Sequence, residues 1–137
     1  MRRAIRIWAV VAIMILCGSV TVWGQQYGIQ VATGAAAVSS TLDVASGREG
    51  VLLVGFTLNL SAAPVASENF TVTLDATDGA AYDTVLYSRD LSSGSVTDVL
   101  YQFEPAVFLK QGDKAVAAWT NTDTRTYALR WIYRRAN

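Results

Sequence analysis

Short runs in which apolar and polar residues alternate fill the chain from Thr41 onward, with turn-forming residues between them. The run Asn69–Asp75 is the clearest, since Phe70, Val72 and Leu74 occupy every second position. Alternation with a period of two indicates a strand with one buried and one solvated face. No run has helical periodicity, so this part of the chain is predicted to be all-β.

A longer run, Val51–Leu60, predicts a central strand, because both of its faces are apolar at the start. One of its faces is expected to carry Leu52, Val54, Phe56, Leu58 and Leu60. Further strands are predicted at residues 84–91, 96–103, 106–109, 114–120 and 125–134. The last strand is expected to bury one face and expose the other, with Tyr127, Leu129, Trp131 and Tyr133 opposite Arg130 and Arg134.

The connections between these strands suggest an architecture. Glu104-Pro105 is expected to end the strand at 96–103, because proline cannot donate to a central ladder. Residues 110–113 and 121–124 are short enough to be hairpin connections. Seven or eight strands at this spacing predict a single antiparallel β-sandwich, and the Gly112-Asp113 turn before an alternating run favours a jelly roll over an immunoglobulin-like topology.

Residues 1–24 have the parts of a secretory signal, in which basic residues precede an apolar run and a small residue ends the segment. Cleavage is predicted between Gly24 and Gln25. Because the apolar run is close to the minimum length of a membrane-spanning helix, an uncleaved N-terminal anchor is the alternative. Both interpretations predict a secreted or cell-surface protein, whose membrane contact is limited to this segment if it is retained.

Two further segments complete the predicted organisation. Residues 25–40 are rich in Gly, Ala, Ser and Gln, which predicts a flexible arm or a weak first strand. Residues 41–137 are predicted to form the sandwich domain.

Composition excludes several kinds of chemistry. The chain has 11 basic residues, 11 acidic residues and no histidine, which excludes Ser-His-Asp catalysis and His-ligated metal sites. Removing residues 1–24 takes away three arginines and no acidic residue, so the mature domain has a formal charge of −3, unlike a nucleic-acid binder. The same cut removes Cys17, the one cysteine.

A glycoside hydrolase would need two carboxylates across a cleft, and nothing places Glu49, Glu68 or Glu104 there. We therefore expect no enzyme and no resident cofactor, with calcium as the one candidate.

The candidate calcium ligands are Asp75, Asp78 and Asp83, which lie close together in one turn-rich segment. Several oxygen ligands from one loop suit this hard cation. The spacing differs from that of the common calcium-binding loop, and Asp78-Gly79 is a standard turn pair, so a solvated loop is the favoured alternative.

Trp119 and Trp131 are the candidate carbohydrate-binding residues, because exposed aromatic rings can stack on sugars. Their places in alternating strands favour the core instead, since Trp131 shares its predicted face with Leu129.

Several segments resemble those of a viral group of proteins: residues 67–75, 81–87 and 95–98, with Gln111-Gly112-Asp113 and Asn121-Thr122-Asp123. Over residues 51–133 the chain resembles small uncharacterised β-sandwich proteins encoded in bacteriophage and environmental viral genomes. The resemblance implies a virion decoration, fibre or adhesion module that oligomerises, and it implies no catalytic residue. A secretory signal departs from this pattern, since virion proteins are normally assembled in the cytoplasm.

The leading hypothesis is an exported, non-enzymatic structural or adhesion module. It would act by forming homo-oligomers or by contacting other surface or particle proteins, with strand addition at an exposed edge or at residues 25–40 as one route. The alternative is a carbohydrate-binding module with a glycan partner.

Overall fold

The computed structural model describes residues 27–44 and 49–136. This part of the chain forms eight strands and one 3-10 turn at Ala80–Tyr82, with no α-helix. The strands are β1 (Tyr27–Gly34), β2 (Val38–Asp43), β3 (Val51–Leu60), β4 (Asn69–Asp75), β5 (Thr84–Asp90), β6 (Asp98–Leu109), β7 (Lys114–Trp119) and β8 (Tyr127–Arg135). The predicted all-β class is confirmed. The predicted signal or anchor helix at residues 1–24 lies outside the described residues.

The strands form two antiparallel four-stranded sheets. The first sheet has the order β1-β8-β3-β6 and the second has the order β2-β7-β4-β5. Among the described strands, β4 and β5 alone are both consecutive in sequence and adjacent in a sheet. Every other connection passes from one sheet to the other, so the predicted hairpins at residues 110–113 and 121–124 are wrong.

Side-chain hydrogen bonds explain why these two turns do not close hairpins. The Asn121 amide Nδ2 donates to the Ala36 carbonyl oxygen at 2.9 Å, which anchors the turn to the β1–β2 connection and directs β8 toward β1. The Asp113 Oδ1 accepts from the Thr77 N–H at 2.9 Å, which ties the β6–β7 turn to the loop after β4. Each turn is therefore fixed to a distant segment rather than to the strand that precedes it.

The inner faces of both sheets contribute to one hydrophobic core. Phe56 on β3 has its ring centroid 5.5 Å from that of Phe70 on β4, in the other sheet. On β8 the buried residues are Tyr127, Leu129 and Trp131, which confirms the inward face predicted for this part of the strand.

A β-bulge interrupts β3. Its register shifts between Leu53 and Gly55 against both neighbours, and Val54 is an extra residue relative to β8. The bulge reverses the alternation: Leu53 is buried before it and Phe56 after it, whereas Leu52 and Val54 are half-buried. The prediction that these two residues share a face with Phe56 is therefore wrong, because alternation continues through a strand only where no residue is inserted.

Pro105 lies inside β6 and does not end it. Because β6 is at the edge of the first sheet, a missing N–H on its open side breaks no ladder. Residues 103–106 lie opposite the β3 bulge, between the paired positions Gln102 and Val107. The two strands predicted at 96–103 and 106–109 are thus one irregular strand.

Residues 27–40 contribute to both sheets. β1 pairs with β8 along its full length, and β2 begins at Val38. The predicted boundary between residues 40 and 41 falls within β2. Among the described residues there is no helix long and apolar enough to span a membrane.

Candidate functional site: the outer face of the first sheet

The outer face of the first sheet consists of the side chains that point away from the core. Cross-strand register arranges them in four rows, each crossing β1, β8, β3 and β6 in that order. The rows are Tyr27, Arg134, Leu52, Phe108; then Ile29, Ile132, Gly55, Gln102; then Val31, Arg130, Thr57, Leu100; and last Thr33, Ala128, Asn59, Asp98.

The first three rows of this face are largely apolar. Ile29 is 65% exposed, Leu100 69% and Phe108 52%, and Tyr27 and Val31 are also more than half exposed. Single exposed apolar residues are ordinary, but several on one sheet face form a patch of the kind that marks interaction sites.

The second sheet has a different outer face. Its central strands place Thr71, Thr73 and Val116 there, and the edge strands add Ser39 and Thr41 on β2 and Val85 and Ser88 on β5. Most of these residues carry a hydroxyl group, which suits contact with water. The outer face of the first sheet is therefore the more apolar of the two.

A shallow depression lies within the apolar face where the two irregular strands meet. It is lined by Tyr27, Val54, Phe103, Glu104, Pro105, Ala106 and Arg134 and has a volume of ≈ 530 Å³. A smaller one of ≈ 170 Å³ is lined by Glu49, Gly50, Arg135 and Ala136. Among the described lining residues, each depression has one carboxylate, whereas glycoside hydrolysis needs a pair.

The face carries opposite charges on two of its strands. Arg130 is exposed on β8, and Asp98 is exposed on β6 with β3 between them. Asp98 accepts hydrogen bonds from Asn59 Nδ2 at 2.6 Å and from Thr97 Oγ1 at 2.9 Å. These bonds lower the pKa of the Asp98 carboxyl, so it is ionised at neutral pH.

The two candidate sugar-binding tryptophans lie in the core. Trp131 is fully buried and Trp119 is 3% exposed, so neither offers a ring face to a ligand at the surface. Two tyrosines, Tyr87 and Tyr101, lie nearer the surface with ring centroids 4.7 Å apart. Their ring planes are inclined by 60°, which does not make the flat platform on which sugars stack.

Two of the three candidate calcium ligands have separate partners. Asp78 pairs with Lys110, and Asp83 Oδ1 accepts from the Ala76 N–H at 2.9 Å. The hydrogen bond between Lys110 and Asp78 raises the pKa of the Lys110 ammonium group. Within residues 27–44 and 49–136, no group of three or more His, Cys, Asp or Glu side chains is placed to hold a metal ion. The predicted cleavage residues Gly24 and Gln25 lie outside the described part of the chain.

This face was not predicted from the sequence. Tyr27, Ile29 and Val31 lie in the segment 25–40, which was predicted to be a flexible arm or a weak first strand. The available signal was adjacent apolar pairs, since Leu100 follows the buried Val99 and Phe108 precedes the buried Leu109. Each strand of two packed antiparallel sheets turns one side away from the core, so a strand with apolar residues on both sides exposes one apolar side.

In comparisons with known proteins, no family model matches the chain and no curated sequence resembles it.

Proposed function

We propose that this chain is an exported, non-enzymatic structural module that works by self-association through the outer face of the first sheet. The observation that carries the proposal is the contrast between the two sheets. One outer face is largely apolar and the other is rich in hydroxyl groups. Exposed apolar patches on a soluble domain mark sites that bind a partner.

The architecture proposed for the module is a jelly-roll sandwich. β1 pairs with β8, β2 with β7, β3 with β6, and β4 with β5. This is the pairing of one long two-stranded ribbon folded over on itself, which supports the jelly roll over an immunoglobulin-like order.

Export is proposed from residues 1–24, where basic residues precede an apolar run. The module would then be secreted or held at the cell surface, and the viral resemblance adds a particle component as its setting. Mass spectrometry of the exported protein tests this part, with a mature chain beginning at Gln25 as the expected result. A retained Met1 would support the anchor instead.

Self-association is tested with residues 25–137 and two matched variants. Val31→Thr changes one methyl group to a hydroxyl on the apolar face, at a residue that is 54% exposed. Val85→Thr makes the same change on the second sheet, at a residue that is 62% exposed. Because both sites are exposed strand positions, neither change should unfold the domain.

Sedimentation velocity over a range of concentrations is the measurement. We expect the parent domain and Val85→Thr to associate as concentration rises, and Val31→Thr to associate less. A parent domain that keeps the mass of one chain at every concentration contradicts the proposed function. Equal weakening by both variants contradicts the assignment to this face.

A further inference from the structure

We propose that β1 exchanges between copies of this chain, so that β1 of one copy pairs with β8 of a second copy and the second copy supplies its own β1 in return. Exchange of an identical element is a low-cost route to a dimer, because each contact of the element is remade in the partner. This contact is separate from association through the outer face, which leaves β1 in its own copy.

β1 contributes little to the hydrophobic core. The buried core residues of the described chain include none from β1. Its inward positions are half-buried and carry small or polar residues, namely Gly28, Gln30, Ala32 and Gly34. By contrast, the next strand buries Leu42. Because burial of apolar surface is the main force that holds an element in a fold, β1 depends mostly on its backbone pairing with β8.

The slot beside β8 fits the sequence of β1. A Cβ at Gly28 would lie 2.3 Å from the Tyr133 ring, so this position favours glycine. At Gly34 a Cβ would lie 3.1 Å from the Tyr127 hydroxyl. Between the two glycines, the Gln30 side-chain amide donates to a carbonyl oxygen of β2 at 2.9 Å. A strand that fills this slot needs both glycines and the glutamine, and β1 of a second copy supplies all three.

The hinge for this exchange is the connection at residues 35–37, which consists of three exposed alanines. Short hinge loops favour exchange, since a chain that does not have to turn back can run into a second copy. The Asn121 amide opposes it, because Nδ2 donates to the carbonyl oxygens of Ala35 at 3.1 Å and Ala36 at 2.9 Å. These two bonds hold the hinge in its turn, and exchange would break them.

Protein concentration and the hinge decide between the two forms, because the contacts of β1 with β8 are the same in both. A folded copy already holds its own β1, so exchange requires β1 to detach. We therefore expect the exchanged dimer when the domain refolds at high concentration, and the single copy when it refolds at low concentration.

Disulfide formation tests the exchange, because residues 25–137 contain no cysteine. Thr33 on β1 lies opposite Ala128 on β8. Opposite residues of an antiparallel pair have Cα atoms about 4.5–5.5 Å apart, which is within the range of a disulfide. The variants are Thr33→Cys and Ala128→Cys, and an equal mixture is refolded from urea at increasing protein concentration. Oxidised glutathione then joins neighbouring thiols, and non-reducing electrophoresis measures the covalent dimer.

Two controls accompany the mixture. A chain that carries both Thr33→Cys and Ala128→Cys, refolded at low concentration, should form its disulfide within one copy and shows that the two thiols can join. A mixture of Thr33→Cys with Val85→Cys, on the second sheet, should give only background dimer.

We expect the mixture to give a covalent dimer whose fraction rises with the refolding concentration, and each variant alone to give little. In an equal mixture about half of the exchanged two-fold dimers contain one copy of each variant, so the covalent fraction should approach half of the dimer fraction measured by sedimentation velocity. Asn121→Gly, added to both variants, should raise the covalent fraction because the hinge loses its two bonds. A fraction that Asn121→Gly leaves unchanged would contradict the assigned hinge.

A mixture that gives no covalent dimer at any concentration, while the double variant forms its disulfide, would overturn the exchange. If the parent domain still associates in that case, the proposed self-association through the outer face stands without it. A covalent dimer of Thr33→Cys alone would indicate that β1 pairs with β1 at the sheet edge, and would also overturn the exchange. A cross-linked mixture, together with a Val31→Thr variant that associates like the parent, would support the exchange and contradict the role of the outer face.

Discussion

The indole Nε1–H of Trp131 donates a hydrogen bond to Ser40 Oγ at 3.1 Å, and this bond joins the two sheets inside the core. Trp131 lies on β8 and Ser40 on β2, 91 positions apart in the chain. Both side chains are buried, so neither polar atom has water as an alternative partner. The bond therefore fixes how β8 faces β2.

Removing the serine hydroxyl leaves the buried Trp131 N–H without this partner. We expect Ser40→Ala to lower the free energy of unfolding by about 1–3 kcal/mol, the cost of an unsatisfied buried donor. Urea unfolding measures it. Ser39→Ala is the control, because Ser39 is the next residue on β2 and is exposed. Equal effects of the two substitutions would contradict the assigned role of the bond.

Asn121 should be as sensitive as the core. It is 2% exposed, its backbone φ is 52°, and its side chain contacts the backbone of Ala35, Ala36 and Arg125. Asn121→Ala should destabilise the domain by about 2–4 kcal/mol, because it removes the hydrogen bonds to these backbone groups and places an alanine in a left-handed conformation. Asn121→Gly separates the two causes. Because glycine adopts this φ readily, Asn121→Gly should be more stable than Asn121→Ala but less stable than the parent.

The bulge in β3 depends on Gly55. A Cβ at this position would lie 2.2 Å from the Tyr101 carbonyl oxygen, which belongs to the backbone and cannot rotate away. Gly55→Ala should lower the free energy of unfolding by about 1–3 kcal/mol through this overlap. At Gly34 the nearest atom to a Cβ is the Tyr127 hydroxyl at 3.1 Å, so Gly34→Ala is the milder comparison. Thermal unfolding that ranks them the other way would contradict this account of the bulge.

Acid should destabilise the domain through its loop carboxylates. Asp123 Oδ2 accepts from the Ala66 N–H at 2.9 Å and from the Val65 N–H, and these bonds lower the pKa of Asp123. The pKa of Asp90 is lowered in the same way by hydrogen bonds from Ser67 and Ser92. A carboxylate whose pKa is lower in the folded than in the unfolded state stabilises the fold at pH values above its unfolded pKa, about 3.9. This stability is lost as the pH falls through the folded-state pKa.

The expected profile of urea unfolding is flat between pH 5 and 8, about the range in which histidine would titrate, because the chain has no histidine. It should decline below about pH 4, the usual range of aspartate. Asp123→Asn should be less stable than the parent at neutral pH and should lose less on acidification. A variant that loses as much stability in acid as the parent would show that Asp123 is not a source of the effect.

Local structure was predictable from the sequence, and the arrangement of strands was not. The predicted bounds of β3 and β4, Val51–Leu60 and Asn69–Asp75, match the structure because alternation is a local property. Strand pairing depends on contacts such as that of Asn121 with Ala36, 85 positions away. Nothing in residues 121–124 distinguishes a turn of this kind from a hairpin.

The outer face of the first sheet was not predicted for a related reason. Alternation placed Leu52 and Val54 on the same face as Phe56, whereas the register shift at the bulge separates them from it and leaves them half-buried. That insertion depends on the approach of β6 to Gly55, a contact between strands about 46 positions apart in the chain. The position of these two residues depends on a change of register, which a pattern that assumes constant register does not show.

The composition of β1 limits how the first sheet can be extended. β1 and β6 are its two edges. β6 carries Glu104 and Pro105 and is irregular opposite Val54, all of which hinder the addition of another strand. β1 has the sequence YGIQVATG, with neither charge nor proline. A further strand could therefore add at β1 but not at β6. Two copies joined through β1 would have a β6 edge on each side, so the assembly would stop at two copies and would not grow into a fibre.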